Sequence, residues 1–201
     1  MPPHRDLAAF DDRAGEYDSG FRGRLHHRIS DRTAHLAAGT AASPNRVVDV
    51  GCGTGYLLRA LAGRYTDAEE LAGIDAAPRM IEVANNLAND DRLRFAVGVA
   101  ERLPFPDATV DLIVSTTSFD HWSDQRAGLV ECARILRPGG HLLLVDQFSW
   151  WLTPTLVTSR RGKARTKPLA NRLLLRAGFA DPQWHKVHAV IIKAVTATKP
   201  G

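Results

Sequence analysis

Residues 47–55 read Val-Val-Asp-Val-Gly-Cys-Gly-Thr-Gly, and their types and spacing suit the binding of a nucleotide-like ligand. Glycine at every second position lets the chain turn sharply and lets backbone N–H and C=O groups approach a ligand closely. Asp49 places a carboxylate two residues before the first glycine, and Asp75 follows Gly55 by twenty positions. That is the separation at which an acid closing the second strand of a βαβ unit meets a ribose. A carboxylate there can accept from both ribose hydroxyls, and such charge-assisted bonds are strong. Farther along, Asp120-His121-Trp122 offers an imidazole able to take a proton near neutral pH. His121 is the first candidate general base and Asp120 the second. Packing or substrate orientation is the alternative role for His121, and Trp122 is read as packing.

These residues need a scaffold to converge. Val47 to Val50 has the look of a buried parallel strand. Tyr56 to Arg64 continues as a helix with Leu57, Leu58 and Leu61 on one side. Leu71 to Ile74 forms a second strand, closed by Asp75. Pro78 suits the first turn of the next helix, whose apolar face is Met80, Ile81, Ala84 and Leu87. Strands are expected near 46–50, 71–75, 93–98, 110–115 and 140–146, and helices near 56–64, 78–89 and 123–136. Such alternation argues a parallel sheet covered on both faces. The first 45 residues read as helical, with Leu7, Phe10, Ala14 and Tyr17 in one periodic set and His26, Ile29, Thr33 and Leu36 in another. A helix near 168–177 is stopped by Gly178, and Gln183 to Thr198 reads as two strands.

The glycine spacing separates two kinds of cofactor. A dinucleotide turn, G-x-G-x-x-G, would put its last glycine at Tyr56; here it falls one residue early, at Gly55. The resulting D-x-G-x-G-x-G resembles motif I of the class I S-adenosylmethionine-dependent methyltransferases. Ala96 to Ser115 is similar to the third strand, adenine loop and fourth strand of the family's small-molecule branch, typified by ubiquinone-biosynthesis enzymes. Arg134 to Val145, with its Pro-Gly-Gly turn, is similar to that branch's helix and fifth strand.

The resemblance implies an α/β fold: a doubly wound, Rossmann-like, mostly parallel seven-stranded sheet with helices on both faces. Its last strand would be antiparallel and inserted beside the fifth. The resemblance also implies S-adenosyl-L-methionine as methyl donor and S-adenosyl-L-homocysteine as product. Asp49, Gly51, Gly53 and Gly55 would supply the turn around the cofactor. Asp75, Ala76 and Met80 would hold the ribose side, Ala100 and Glu101 the adenine side, and Ser115 the mouth of the fourth strand. Tyr17, at the family's usual offset from Phe10, would sit near the methionine carboxylate.

Two departures stand out. The family's Gly-Asp-Ala adenine loop is Gly98-Val99-Ala100 here, which removes the acid that accepts from the adenine amino group. Either adenine is held with one fewer polar contact, or Glu101 substitutes. The usual Ser before the second-helix proline is Ala77, which removes a helix cap.

Composition bounds the rest. The chain has 201 residues, 44% hydrophobic and 24% charged, ordinary for one soluble domain with a single core. The expected division is an N-terminal helical cover (1–45), a cofactor-binding core (46–147), a mobile substrate cover (148–167) and a C-terminal helix and hairpin (168–201). No apolar run approaches the roughly 20 residues that span a bilayer, and Met1 to Asp6 lacks the apolar core of a signal peptide. Cytoplasm is the expected location. Cys52 and Cys132 read as buried free thiols, and no Cys/His spacing suggests a metal site.

Net charge is 0, −5 and +9 over residues 1–45, 46–150 and 151–201, giving +4 for the chain. Five basic residues fall within 160–167, which reads as a solvated loop. No nucleic-acid motif accompanies them, and no aromatics interleave with them. Trp150 and Trp151 leave the fifth strand together, so one should face a pocket, a partner or a lipid surface. The expected activity is methyl transfer to an O, N or C nucleophile of a small apolar or aromatic molecule, by a monomer or homodimer. The rivals are a methyltransferase acting on RNA or a membrane quinone or lipid, and a non-catalytic cofactor-binding protein.

Overall fold

The computed structural model describes residues 7–148, 166–189 and 191–201. Trp150, Trp151 and most of the proposed substrate cover, including Arg160 to Arg165, lie outside the described residues. The elements are α1 (Leu7–Arg13), α2 (Gly20–Thr40), β1 (Arg46–Val50), α3 (Tyr56–Ala62), β2 (Glu70–Asp75), α4 (Pro78–Asn86), β3 (Leu93–Val97), β4 (Val110–Thr116), α5 (Gln125–Ile135), β5 (Leu136–Gln147), α6 (Lys167–Arg176), β6 (Ala180–His188) and β7 (Ile192–Thr198). Short 3₁₀ turns at Ala14–Glu16 and Phe119–His121 complete the order.

The strands form one seven-stranded sheet in the order β3-β2-β1-β4-β5-β7-β6. β1 to β5 pair in parallel. β7 runs antiparallel between β5 and β6, as expected for the last strand. Strand order reverses between β1 and β4, which opens a crevice at their carboxyl ends where ligands of such sheets bind.

Alternation along the strands divides the core into two layers. Val48, Val50, Ala72, Ile74, Leu142 and Leu144 face α5 and α6, through Leu129, Cys132, Ile135 and Leu174. Val47, Leu71, Leu112, Val114 and Leu143 face α2 and α3, through Ile29, Ala37, Leu57, Leu58 and Leu61. β1 and β4 are buried on both faces, so their sequences do not alternate apolar with polar residues.

β5 is longer than the expected 140–146. Arg137-Pro138-Gly139-Gly140 is part of the strand, because Leu136 already pairs with Val110 before a register shift. α5 therefore ends at Ile135. β6 begins at Ala180 rather than Gln183, through an irregular start opposite Thr198. Phe148, the first residue of the expected cover, packs into the core. It is buried between Phe119, at 6.2 Å, and Trp184, at 5.0 Å.

Candidate functional site

The glycine turn is held from two sides. Gly51 and Cys52 donate their N–H groups to the Ile74 carbonyl, which ties the end of β1 to β2. Gly51 has φ +79, and a Cβ there would lie 2.2 Å from Ser118 Oγ. Only glycine allows β1 and the loop after β4 to approach this closely. Gly55 packs closely against the Phe95 ring. Its φ is +77, a Cβ would lie 2.5 Å from the Phe95 ring, and it does not line the cleft.

Asp75 closes β2 as expected, but its carboxylate has local duties. Oδ2 accepts the Gly53 N–H at 2.8 Å and Oδ1 accepts the Ala77 N–H at 2.9 Å. Burial raises its pKa, opposed by backbone donors at Ala77, Gly53 and Ala76. A carboxylate has about four lone-pair sites, so two accepted bonds leave capacity for a diol. Asp49 is more extreme. It is 2% exposed, its Oδ1 has no hydrogen-bond partner among the described residues, and burial followed by repulsion from Asp75 pushes its pKa up to about 8. Burial also pushes the Cys52 thiol well above its ordinary value, which suits an inert packing residue.

The N-terminal segment crosses this turn. Tyr17 lines the cleft, and burial, with Asp75 and Asp18 nearby, pushes its phenol up to about 12. It therefore keeps its proton at neutral pH. Asp18 accepts from Thr54 Oγ1 at 2.8 Å and pairs with His27 at 3.0 Å. Asp11 accepts the Arg79 N–H at 3.0 Å. Ala77 makes no side-chain cap at the start of α4, so Asp11 supplies from another element the bond that a serine would have made. Sequence reading missed Asp11 and Asp18, because their partners lie 68 and 36 residues away.

The loop after β4 forms the third wall. Ser115 is fully buried, and its hydroxyl donates to the Val50 carbonyl at 2.8 Å, as does that of Ser118. Ser115 is not among the residues lining the cleft; its hydroxyl ties β4 to β1. Thr117 has φ +54, unusual for a β-branched residue and typical of strain kept at functional sites. Thr116 Oγ1 is buried without a partner among the described residues. His121 lines the cleft, edge-on to Phe10 at 5.0 Å. Asp120 does not line it. Its backbone N–H donates to Asp146, a buried carboxylate at the end of β5 whose pKa burial raises. Trp122 is 4% exposed and packs over Gly128, where a Cβ would lie 2.4 Å from the indole.

These walls enclose one bipartite cleft at the carboxyl ends of β1, β2 and β4. Its larger half encloses about 730 Å³, open mouth included, and is mainly apolar, with Ile74, Met80, Val99, Ala100 and Trp122 among its walls. Ala76 and Glu101 also line it. Its smaller half is polar, lined by Asp18, His26, His27, Asp49 and Thr54. Tyr17, Gly51, Gly53, Thr116 and Thr117 line both halves and mark the junction. Among the described residues, no group of three or more His, Cys, Asp or Glu side chains is arranged to hold a metal ion.

Comparison with known proteins agrees with this geometry. The family described as "Methyltransferase domain" matches residues 48–144, the stretch from β1 to β5 that builds the cleft. Residues 48–144 carry a methyltransferase domain. The chain is 38% identical over 108 residues to the uncharacterized methyltransferase YcgJ of Bacillus subtilis, covering 52% of this chain and 42% of that one. It is 39% identical over 117 residues to a demethylmenaquinone methyltransferase of Deinococcus radiodurans, covering 57% and 48%. The chain thus spans about half the length of the curated relatives it matches. In structure it is similar to a chain of the complex between the Trm112 methyltransferase activator and a proposed methyltransferase of Haloferax volcanii, with TM-score 0.82, 21% identity, and 96% and 98% of the two chains covered. That likeness shows the fold.

The cleft fits S-adenosylmethionine, the cofactor of such domains. An apolar slot for a base adjoins a polar end where a buried carboxylate, Asp49, lacks a donor, and S-adenosylmethionine brings an ammonium group. Asp75 lines the larger half, with acceptor capacity to spare.

Proposed function

We propose that the chain transfers a methyl group from S-adenosylmethionine to an O, N or C nucleophile of a small apolar or aromatic molecule. The observation that carries this reading is the junction shared by the two halves of the cleft, at Gly51, Gly53, Thr116 and Thr117. It lies where a donor extended across both halves would expose its centre. Bound there, the cofactor supplies an electrophilic methyl on a cationic sulfur.

The chain's own residues then bind and orient. Asp49 offsets the ammonium charge, with Tyr17 donating to the neighbouring carboxylate. Gly51 and Gly53 bring backbone close to the ligand, and Asp75 accepts from the ribose hydroxyls. Ala76, Met80 and Ala100 hold the nucleoside. Phe10 and Trp122 exclude water and give apolar surface to an acceptor. Holding two reactants close and in line supplies most of such a rate enhancement. His121 takes the proton where the nucleophile has one of high pKa. Asp120 is left to the backbone of its turn.

The acceptor class is supported by the apolar walls; the Deinococcus relative, whose name gives a quinone-type acceptor, agrees with an apolar acceptor and equally with the rival of a membrane quinone. We place the protein in the cytoplasm as a monomer or homodimer. Among the described residues no helix is long and apolar enough to cross a membrane. No described feature favours RNA, a membrane lipid or a non-catalytic role. Calorimetry with S-adenosylhomocysteine and NAD tests the donor, and an acceptor screen with labelled cofactor, read by mass spectrometry, tests the reaction. Tight NAD binding with no S-adenosylhomocysteine binding would overturn the reading.

A further inference from the structure

Asp146 is a buried carboxylate near the end of β5 that no step above uses. It is 4% exposed, and it is not among the residues lining either half of the cleft. Oδ2 accepts the backbone N–H of Asp120 at 3.0 Å, and Oδ1 accepts that of Gln147 at 2.6 Å. Aspartate is rarely this buried unless it is paired, and two backbone donors fill only part of a carboxylate's four lone-pair sites.

The bond to Asp120 bears on His121. The two residues share one 3₁₀ turn, Phe119–His121, and Ser118 at its start makes no side-chain cap. Asp146 supplies that cap from β5. The His121 N–H donates to the Ser118 carbonyl at 2.8 Å, and Gln125 Nε2 donates to the Phe119 carbonyl at 3.0 Å. So held, the turn sets the His121 ring against Phe10 in the cleft. Charge follows the same path. Burial raises the Asp146 pKa, the Gln147 and Asp120 donors lower it, the Asp120 charge raises it again and His121 lowers it. An ionised Asp146 and a protonated His121 therefore favour each other. The other titratable or charged groups near the ring are Asp120 on its own turn, Arg13 of α1 at 5.8 Å from the Phe10 ring centroid, and Tyr17, Asp75 and Glu101 along the cleft.

We propose that Asp146 is a positioning residue for His121: it anchors the turn that aims the imidazole into the cleft and sets beside that turn a buried negative charge, which favours the imidazolium formed when His121 takes the acceptor's proton. The proposal deepens the reading of His121 as base and rests on it. The proton passes from the acceptor's O–H or N–H to the imidazole, and the electron pair it leaves stays on the nucleophilic atom. Asp146 remains ionised, because an orienting carboxylate stabilises the imidazolium without taking the proton itself. A charge held out of water acts strongly over a few ångströms, so a carboxylate outside the cleft still reaches the ring inside it.

The test is NMR titration of the His121 imidazole in the wild type, Asp146→Asn and Asp120→Asn, with circular dichroism to confirm folding. Asp146→Asn keeps one carbonyl oxygen for a backbone donor and removes the charge. Its His121 midpoint should fall by about half a pH unit or more relative to the wild type, as expected when a nearby opposite charge is lost. Asp120→Asn, at a half-buried residue, should move the midpoint less. A second measurement needs no substitution: the wild-type Gln147 amide, bonded to Asp146 Oδ1 on β5, should shift with pH at the His121 midpoint. A cap without an electrostatic part would move neither signal. Equal midpoints in the wild type and a folded Asp146→Asn, or a Gln147 amide that does not follow His121, would overturn the assignment. The base reading is tested separately by His121→Asn, which should slow turnover of a phenolic acceptor found in the labelled-cofactor screen. Unchanged turnover would overturn that reading, and the part of Asp146 in the reaction with it, even where the titration shows the pairing.

Discussion

Asp11 on α1 accepts the backbone N–H of Arg79 at 3.0 Å and so caps α4 from a distant part of the chain. The bond does two jobs. It satisfies a donor at the start of α4 that Ala77 cannot reach, and it clamps the segment carrying Phe10 and Tyr17 onto the rim of the cleft. Asp11→Ala should lower stability by about 1 kcal/mol, the usual worth of a cap, and should also weaken S-adenosylhomocysteine binding. Adding Ala77→Ser should restore the cap and the stability without restoring the affinity. Thermal unfolding and calorimetry on the single and double variants would separate the two jobs; equal recovery of both properties would refute the clamp.

Asp75 should prove structural as well as ligand-binding. Asp75→Ala removes the acceptor for two backbone donors, Gly53 N–H and Ala77 N–H. Stability should fall by about 1–3 kcal/mol, because buried donors lose their partner, and cofactor affinity by about 2–3 kcal/mol. Chemical denaturation and titration with S-adenosylhomocysteine measure the two losses. A loss of affinity with unchanged stability would mean that the turn holds its shape without the carboxylate.

Asp49 should leave a signature in the pH dependence of stability. Its folded pKa, about 8, lies above the ordinary 3.8, so the folded protein holds this proton more tightly than the unfolded chain. The stabilisation is fully present below the ordinary value and is lost as pH rises toward about 8. Between these limits the contribution falls by at most about 1.4 kcal/mol per pH unit. Asp49→Asn should flatten that slope in the unligated protein. A ligand ammonium favours the ionised form, so S-adenosylhomocysteine binding near pH 7 should release a proton, seen as a dependence of the binding heat on buffer ionisation enthalpy. The same slope in Asp49→Asn would assign the titration to another group.

Gly55 and Phe95 should behave as a packing pair. Gly55→Ala forces a Cβ to within 2.5 Å of the Phe95 ring and places alanine at φ +77. The steric and backbone costs together should exceed about 2 kcal/mol. Phe95→Leu in that background should recover the steric part and leave the backbone part. Melting temperatures of the four proteins test this, and simple additivity of the two substitutions would argue against direct contact.

The sequence alone determined the order of strands and helices, because apolar runs, glycine stops and the Pro-Gly-Gly turn are local signals. It also located the glycine turn, Asp49, Asp75 and Tyr17, since a motif with regular spacing is carried in the chain itself. What it could not determine was the direction of a side chain once several elements meet. Gly55 and Ser115 belong to the motif regions, yet the tertiary structure turns one toward Phe95 and the other toward the Val50 carbonyl. Asp120 follows the fourth strand as expected, but its turn is held by Asp146 from β5 and directs His121 into the cleft. Asp11, Asp18 and Glu101, whose carboxylate accepts the Asp124 N–H at the cap of α5, gained their roles only on folding. Each depends on a partner in another element, brought within about 3 Å by the packing of α1, α2 and α5 around the crevice.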